Sequence, residues 1–269
     1  MNDRLDQLTP QSDAAKAVDL NCDFGEGFGA YTFGQDDELL QYVTSVNIAC
    51  GFHAGDPHTM RTAARKSLAA GVAVGAHPGL PDRLGFGRRE MKITASEAYD
   101  YVVYQVGALS AFVQAMGGRL RHVKPHGALY HMAGRDQEIA AAVVKAAADV
   151  DKRLLVFGGS GSLLLNEARR QGLGAVSEVF ADRTYRADGT LTPRSEPGAL
   201  LAGTEAAVQQ AVSMAAEGKA YTASGDIIAI KADTICLHGD GPHAAAFAHS
   251  ISSALLAANI SLRAPGAVL

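Results

Sequence analysis

The sequence predicts an α/β protein, a seven-stranded parallel (β/α) barrel of TIM-barrel type, and three observations carry that expectation. Seven short strand candidates recur along the chain, and one of them, Val72 to Val74, is filled by small and β-branched residues without alternation, as in a strand buried on both faces. Stretches with helical periodicity separate them. Nearly every run ends in polar chemistry: Asp23, His53, His77, Lys124 with His126, Glu178 and His238. In such a barrel the active site is built from the loops that follow the strands.

Residues 1–16 are polar and aperiodic and read as a flexible extension ahead of one barrel domain over residues 17–269. Strand one, residues 18–23, ends in Phe24-Gly25-Glu26-Gly27, and a helix is expected over 36–43. Strand two, residues 46–50, ends in Gly51-Phe52-His53. Asp56-Pro57 then gives an N-cap followed by proline at the first helical position, with Gly71 as the stop. Met60, Ala64 and Leu68 supply that helix's apolar face. Strand three, residues 72–74, runs into His77 and a loop reaching Arg89 that holds Asp82, Arg83 and Arg88. Ordered loops of that length are usually functional.

Thr94 and Glu97 form a capping box that opens a helix of about six turns, closed by Gly117-Gly118. Strand four, residues 120–123, leads into Lys124-Pro125-His126-Gly127, read as a loop before a helix over 136–148. Strand five, residues 154–157, leads into Gly158-Gly159-Ser160-Gly161 and a helix through Leu165 and Ala168. Strand six, residues 176–180, carries Glu178 and precedes a loop over 183–198 and a helix over 204–217. A short extra strand is expected over 226–230, the seventh barrel strand over 235–237, and a last helix from Pro242 to residue 258.

Composition narrows the function classes. With 24 basic and 28 acidic residues the net charge is −4, which argues against a general nucleic-acid or membrane-surface role. Cys22, Cys50 and Cys236 fall in strands and read as buried small residues; no CxxC pair is present. No apolar run reaches membrane-spanning length and no signal-peptide core is seen, so a cytoplasmic protein is expected.

Histidines and an aspartate at several strand ends suit either a divalent metal or acid–base catalysis. No tightly spaced ligand pair such as HExxH is present, which weighs against the metal. Lys124 and His126, two residues apart, point to the same side, and a lysine leaving an apolar strand favours an anion or phosphate contact or a perturbed pKa. Glu178, a charge inside a strand, needs a polar pocket, and with Asp182 it offers a carboxylate pair for acid–base work. Gly158-Gly159-Ser160-Gly161 is not a P-loop, because no lysine follows it.

Several blocks together resemble one family. They are the run Asp19-Leu20-Asn21-Cys22-Asp23-Phe24-Gly25-Glu26-Gly27, the run Asn47-Ile48-Ala49-Cys50-Gly51-Phe52-His53-Ala54-Gly55-Asp56-Pro57, and His77-Pro78-Gly79 with Asp82 and Gly85-Phe86-Gly87-Arg88-Arg89. Lys124-Pro125-His126-Gly127-Ala128-Leu129-Tyr130, Glu178-Val179-Phe180-Ala181-Asp182-Arg183 and Cys236-Leu237-His238-Gly239-Asp240 complete the set. On these blocks the chain resembles the LamB/YcsF family, the A component of bacterial ATP-dependent 5-oxoprolinase.

The resemblance implies a barrel of the glycoside hydrolase/deacetylase type. It also implies conversion of 5-oxo-L-proline to L-glutamate coupled to ATP hydrolysis, with separate B and C subunits. A five-membered lactam is a stable amide, and phosphorylating its oxygen would activate the carbon that water attacks; such a transfer needs positioned cations and Mg²⁺. On that reading Lys124, His126, Glu178 and Asp182 are the catalytic candidates. Asp23, Glu26, His77, Arg88, Arg89, Arg183 and His238 are expected to contact substrate or ATP. A divalent metal at the mouth, if held, is expected on Asp23, His53 and His77. Two rival readings follow from the same residues: a metal-dependent deacetylase or amidohydrolase without ATP, and a non-catalytic substrate-binding subunit.

Overall fold

Strand β1 (Ala17–Phe24) sets the plan of the molecule, because its two faces carry different chemistry. Val18, Leu20, Cys22 and Phe24 belong to the apolar core, whereas Asp19, Asn21 and Asp23 make polar contacts across to neighbouring strands. The structure, a computed structural model, describes residues 16–31, 36–194, 196–237 and 244–266.

Among these, β1 is followed by α1 (Asp36–Leu39), β2 (Ser45–Ala49), α2 (Pro57–Ala69), β3 (Ala73–His77), α3 (Ala95–Ala115) and β4 (His122–Val123). Then come α4 (Gly127–Arg135), α5 (Gln137–Val150), β5 (Leu155–Gly159), α6 (Leu163–Arg170), β6 (Gly174–Phe180) and α7 (Thr204–Glu217). The chain continues through β7 (Lys219–Tyr221), β8 (Ile227–Ala229), β9 (Thr234–Leu237), α8 (Ala244–Ala257) and β10 (Ser261–Leu262). Strands β1-β2-β3-β4-β5-β6-β9 pair in that order, all in parallel, and β9 returns to β1, closing a seven-stranded barrel. Strand β10 lies beside the start of β1, with Ala17 opposite Ser261, and β7 and β8 form a separate antiparallel hairpin.

The caps anticipated in the sequence are formed. Asp56 accepts from Thr59 N at the start of α2, and Thr94 and Glu97 bond reciprocally at the start of α3. Three elements differ from expectation. Helix α1 is only four residues long. Strand β4 is two residues long, yet Arg121 N donates to Val74 O, Lys124 N to Ala76 O and His126 N to Pro78 O, so the backbone tracks β3 on either side of it. Helix α4 starts at once after His126, where Pro125 and Gly127 had suggested a loop. Gly127 has φ +51°, and a Cβ there would lie 2.6 Å from Gly87 O, so glycine is needed to launch the helix this close to the β3 loop. The loop after β6 is tied down: Arg183 pairs with Leu200 and Tyr185 with Leu191 and Thr222 through isolated β-bridges.

The apolar core is therefore an annulus between sheet and helices, exemplified by Leu20, Ile48, Val74, Val123, Val156, Val179 and Ile235 against Leu109, Val143 and Leu164. Among the described residues no helix is long and apolar enough to cross a membrane.

Candidate active site at the barrel mouth

Polar residues two apart on the strands fill the barrel interior and rise to its C-terminal end. At the floor Asp19 accepts from the hydroxyls of Thr44, Ser45 and Thr234. Burial pushes its carboxyl up to about 6, although those three bonds act in the opposite direction. Above it, Asn21 donates to Glu178 Oε1 at 3.1 Å and to Thr234 Oγ1 at 2.7 Å. Asn47 donates to Asn21 Oδ1 at 2.7 Å and to Asp23 Oδ1 at 3.0 Å, and its own Oδ1 lies 2.8 Å from His122 Nε2. His122 stacks on Phe157 with ring centroids 3.9 Å apart, and burial depresses its pKa to about 3. The stack passes directly over β3: a Cβ on Gly75 would sit 2.0 Å from His122 Nε2, so only glycine fits there.

Lys124 occupies the next level. It is 3% exposed, with Nζ 2.8 Å from Glu178 Oε1, 3.1 Å from Asp23 Oδ1, 3.2 Å from Asn21 Oδ1 and 3.1 Å from Cys236 Sγ. Burial opposes the charge, but Asp23, Cys236 and Glu178 together hold the lysine well above its ordinary pKa. Burial likewise opposes ionisation of Asp23, and His77, when its ring is protonated, together with Lys124 holds that carboxyl well below the usual range. Tyr130 stands beside this cluster; burial first, then Glu178, raises its phenol well above the ordinary value.

At the top, Glu26, His53, His77 and His126 gather with one donor atom from each within 4.8 Å of the others, a group able to hold a metal ion. His77 Nδ1 lies 2.7 Å from Lys124 O, and His126 Nε2 lies 2.7 Å from Phe86 O. A carbonyl only accepts, so each of these nitrogens carries a proton; His77 Nε2 and His126 Nδ1, bare when the rings are neutral, face each other at 2.9 Å. His77 Nε2 is also 3.3 Å from Asp23 Oδ2, and His126 Nδ1 is 3.8 Å from Glu26 Oε1. His53 stacks on His126 at 3.7 Å, with Nε2 3.6 Å from Glu26 Oε1. Burial is the first cause holding His53 well below the ordinary histidine pKa, and burial depresses His126 to about 3.

The structure thus brings Asp23, Glu26, His53, His77, Lys124, His126 and Glu178 to one end of the barrel. The metal-capable group differs from the expected one: it contains His53 and His77, but Glu26 and His126 take the place of Asp23, which is engaged with Lys124. Asp182 lies just past β6, its carbonyl accepting from Leu201 N. Arg183 is buried, and its guanidinium donates to Thr192 O and Ala199 O, so it braces its own loop. Arg89 is bound to Asp82, and Arg88 lies exposed, 5.0 Å from the Phe86 ring centroid. His238 lies outside the described residues.

Sequence reasoning passed over Asn21, Asn47, His122, Tyr130 and Cys236 as site residues. The signal for two of them was present: polar residues recur every second position in Asp19-x-Asn21-x-Asp23 and His122-x-Lys124-x-His126, which places them on one face of a strand. Cys236 differs from Cys22 in the same way, by facing the interior instead of the helices.

Comparison with known proteins places this site in context. The LamB/YcsF family model matches residues 18–269. The chain is 54% identical over 247 residues to the A component of the 5-oxoprolinase of Tolumonas auensis, covering 92% of this chain and 98% of that one. It is 55% identical over 247 residues to the corresponding 5-oxoprolinase component of Bacillus subtilis, covering 92% and 96%. Among solved structures, the lactam utilization protein of Thermus thermophilus superposes with a TM-score of 0.88 at 46% identity, covering 92% of this chain and 99% of that one.

Proposed function

Because the chain belongs to the LamB/YcsF family, we propose that it is the A component of a 5-oxoprolinase, a hydrolase that opens the lactam of 5-oxo-L-proline to give L-glutamate. The observation that carries this is the identity of 54% extending over 98% of a relative that bears that name. We further propose that turnover is coupled to ATP with Mg²⁺ and takes place in a complex with B and C subunits. A cytoplasmic setting suits a nucleotide co-substrate.

The interior chemistry is compatible with that role. Lys124 offers a desolvated positive charge at the mouth, where a lactam oxygen gains negative charge as its carbon is attacked. Glu178 and Asp23 fix the ammonium, and Asn21 and Asn47 fix the carboxylates in turn. Glu26 and the three histidines line the adjacent space. Asp23 and Glu178 are committed to Lys124, so Mg²⁺, a hard ion that binds with few carboxylates, fits as a companion of the nucleotide phosphates. ATP, when bound, supplies the phosphoryl group that activates the lactam oxygen.

The test is reconstitution of the chain with B and C subunits and quantification of glutamate and ADP from 5-oxo-L-proline. Glutamate formation that depends on this chain and on ATP is expected. Glutamate formation at the same rate without this chain would overturn the assignment, as would its absence from a stably assembled complex.

A further inference from the structure

We propose that Glu26, His53, His77 and His126 form a binding site for one divalent transition-metal ion of the zinc class, separate from the Mg²⁺ that would accompany a nucleotide. The proposal stands on donor geometry and does not depend on the substrate reading.

Three observations support it. First, Lys124 O and Phe86 O hold one nitrogen each of His77 and His126 from behind, and this turns the other nitrogen of each ring, bare when the ring is neutral, toward one point. Nitrogens facing each other at 2.9 Å require a positive species between or beside them, a shared proton or a metal ion. A second-sphere carbonyl that orients a histidine in this way is the usual companion of metal ligation. Second, His53 is 1% exposed and neither of its ring nitrogens has a hydrogen-bond partner. A buried imidazole without a partner costs free energy that a ligand would recover. Its placement is enforced: a Cβ on Gly79 would sit 2.5 Å from His53 Nδ1, which leaves Nε2 on the side of Glu26. Third, the carboxylate of Glu26 supplies negative charge beside both histidines, 3.6 Å from His53 Nε2 and 3.8 Å from His126 Nδ1.

The donor set selects the ion. Three imidazoles and one carboxylate suit zinc, cobalt, nickel or iron, whereas magnesium takes oxygen ligands. Bonds of about 2.0–2.1 Å to nitrogen place neighbouring tetrahedral donors about 3.3 Å apart. His77 and His126 would therefore separate by a few tenths of an ångström from their 2.9 Å contact. His53 and His126, parallel within 2°, would splay so that each ring plane can hold the ion.

The site can be tested on the full-length chain by removing metal with a chelator and titrating with Zn²⁺ and with Co²⁺. Metal content is read by mass spectrometry and the cobalt complex by its visible d–d absorption. One equivalent per chain is expected, with a cobalt spectrum of low coordination number. Glu26→Gln and His53→Gln should each weaken binding at least about tenfold, roughly 1.4 kcal/mol, with unchanged circular dichroism. His58→Gln, an exposed histidine on α2, should bind as wild type. Glu26 lies at the rim with 12% of its side chain exposed, so its variant keeps the test readable if His53→Gln does not fold. Failure of the wild-type chain to take up either ion, or wild-type affinity in a folded Glu26→Gln variant, would overturn the proposal.

Discussion

Lys124 Nζ lies 2.8 Å from Glu178 Oε1, and both side chains are shut away from solvent, 4% and 0% exposed. Buried pairs of this kind are weak sources of net stability but costly to break from one side, because the remaining charge is left uncompensated. Lys124→Met should therefore lower the unfolding free energy by about 3–5 kcal/mol. Lys124→Met combined with Glu178→Gln should lose less than Lys124→Met alone, since no buried carboxylate is stranded at that position. Denaturant unfolding of both variants checks this; a double variant less stable than Lys124→Met would refute it. Turnover in the assembled enzyme should fall at least about tenfold in both, roughly 1.4 kcal/mol of transition-state stabilisation.

Gly87 should tolerate no side chain. Its φ is +65°, and a Cβ would stand 2.7 Å from His53 Cβ and 2.9 Å from His126 Cδ2. Gly87→Ala should displace the stacked histidines and lower turnover more than stability. Melting temperature and rate measured on the same preparation distinguish the two effects; an unaltered rate would show that the stack is not needed.

Two interior groups should give opposite pH dependences. Asp19 has its pKa raised from 3.8 to about 6, so the folded state holds the proton more tightly than the unfolded state. Its contribution is complete below pH 3.8 and is lost as pH rises to about 6, on the order of 3 kcal/mol by linkage. His122 is depressed from 6.5 to about 3, so its contribution is complete above pH 6.5 and is lost as pH falls, on the order of 5 kcal/mol. In the window between, Asp19→Asn should steepen acid destabilisation and His122→Gln should flatten it. Unfolding free energies at several pH values between 4 and 6.5 measure both slopes, and equal slopes in the two variants would contradict the assignment.

Arg183 should act as an internal brace. It donates to Thr192 O and Ala199 O across the segment that follows β6. Arg183→Ala should open that segment to limited proteolysis between residues 184 and 198, with cleavage at least about tenfold faster than in wild type, the equivalent of one or two lost hydrogen bonds. Unchanged cleavage would mean that Thr184 and the Gln210 amide hold the loop without it.

Much of the barrel was legible because buried parallel strands and amphipathic helices leave strong periodic signals. Helix α7 matches its expected span of residues 204–217, and the α2 and α3 caps are where short side-chain patterns placed them. Helix α4 was hidden, because Pro125 and Gly127 punctuate the sequence as a loop would, while the backbone uses them to turn directly from strand to helix. The mouth could be read as a set of strand ends, but not its partnerships. Nothing local tells that Asp23 will serve Lys124 while Glu26 joins three histidines, since those pairings span up to about a hundred residues of chain. The partners of Arg183 were hidden for a related reason: nothing local shows that the carbonyls of Thr192 and Ala199 take its guanidinium.

The alternation along β1 has a further consequence for how the chain reaches its native state. A slip of one residue against β2 would turn Asp19, Asn21 and Asp23 into the aliphatic layer and bring Leu20 and Cys22 among polar groups. Each stranded polar group would cost about 1–3 kcal/mol, several times the thermal energy. Misregistered closure is thus strongly penalised, and the residues that line the mouth also proofread the assembly of the barrel.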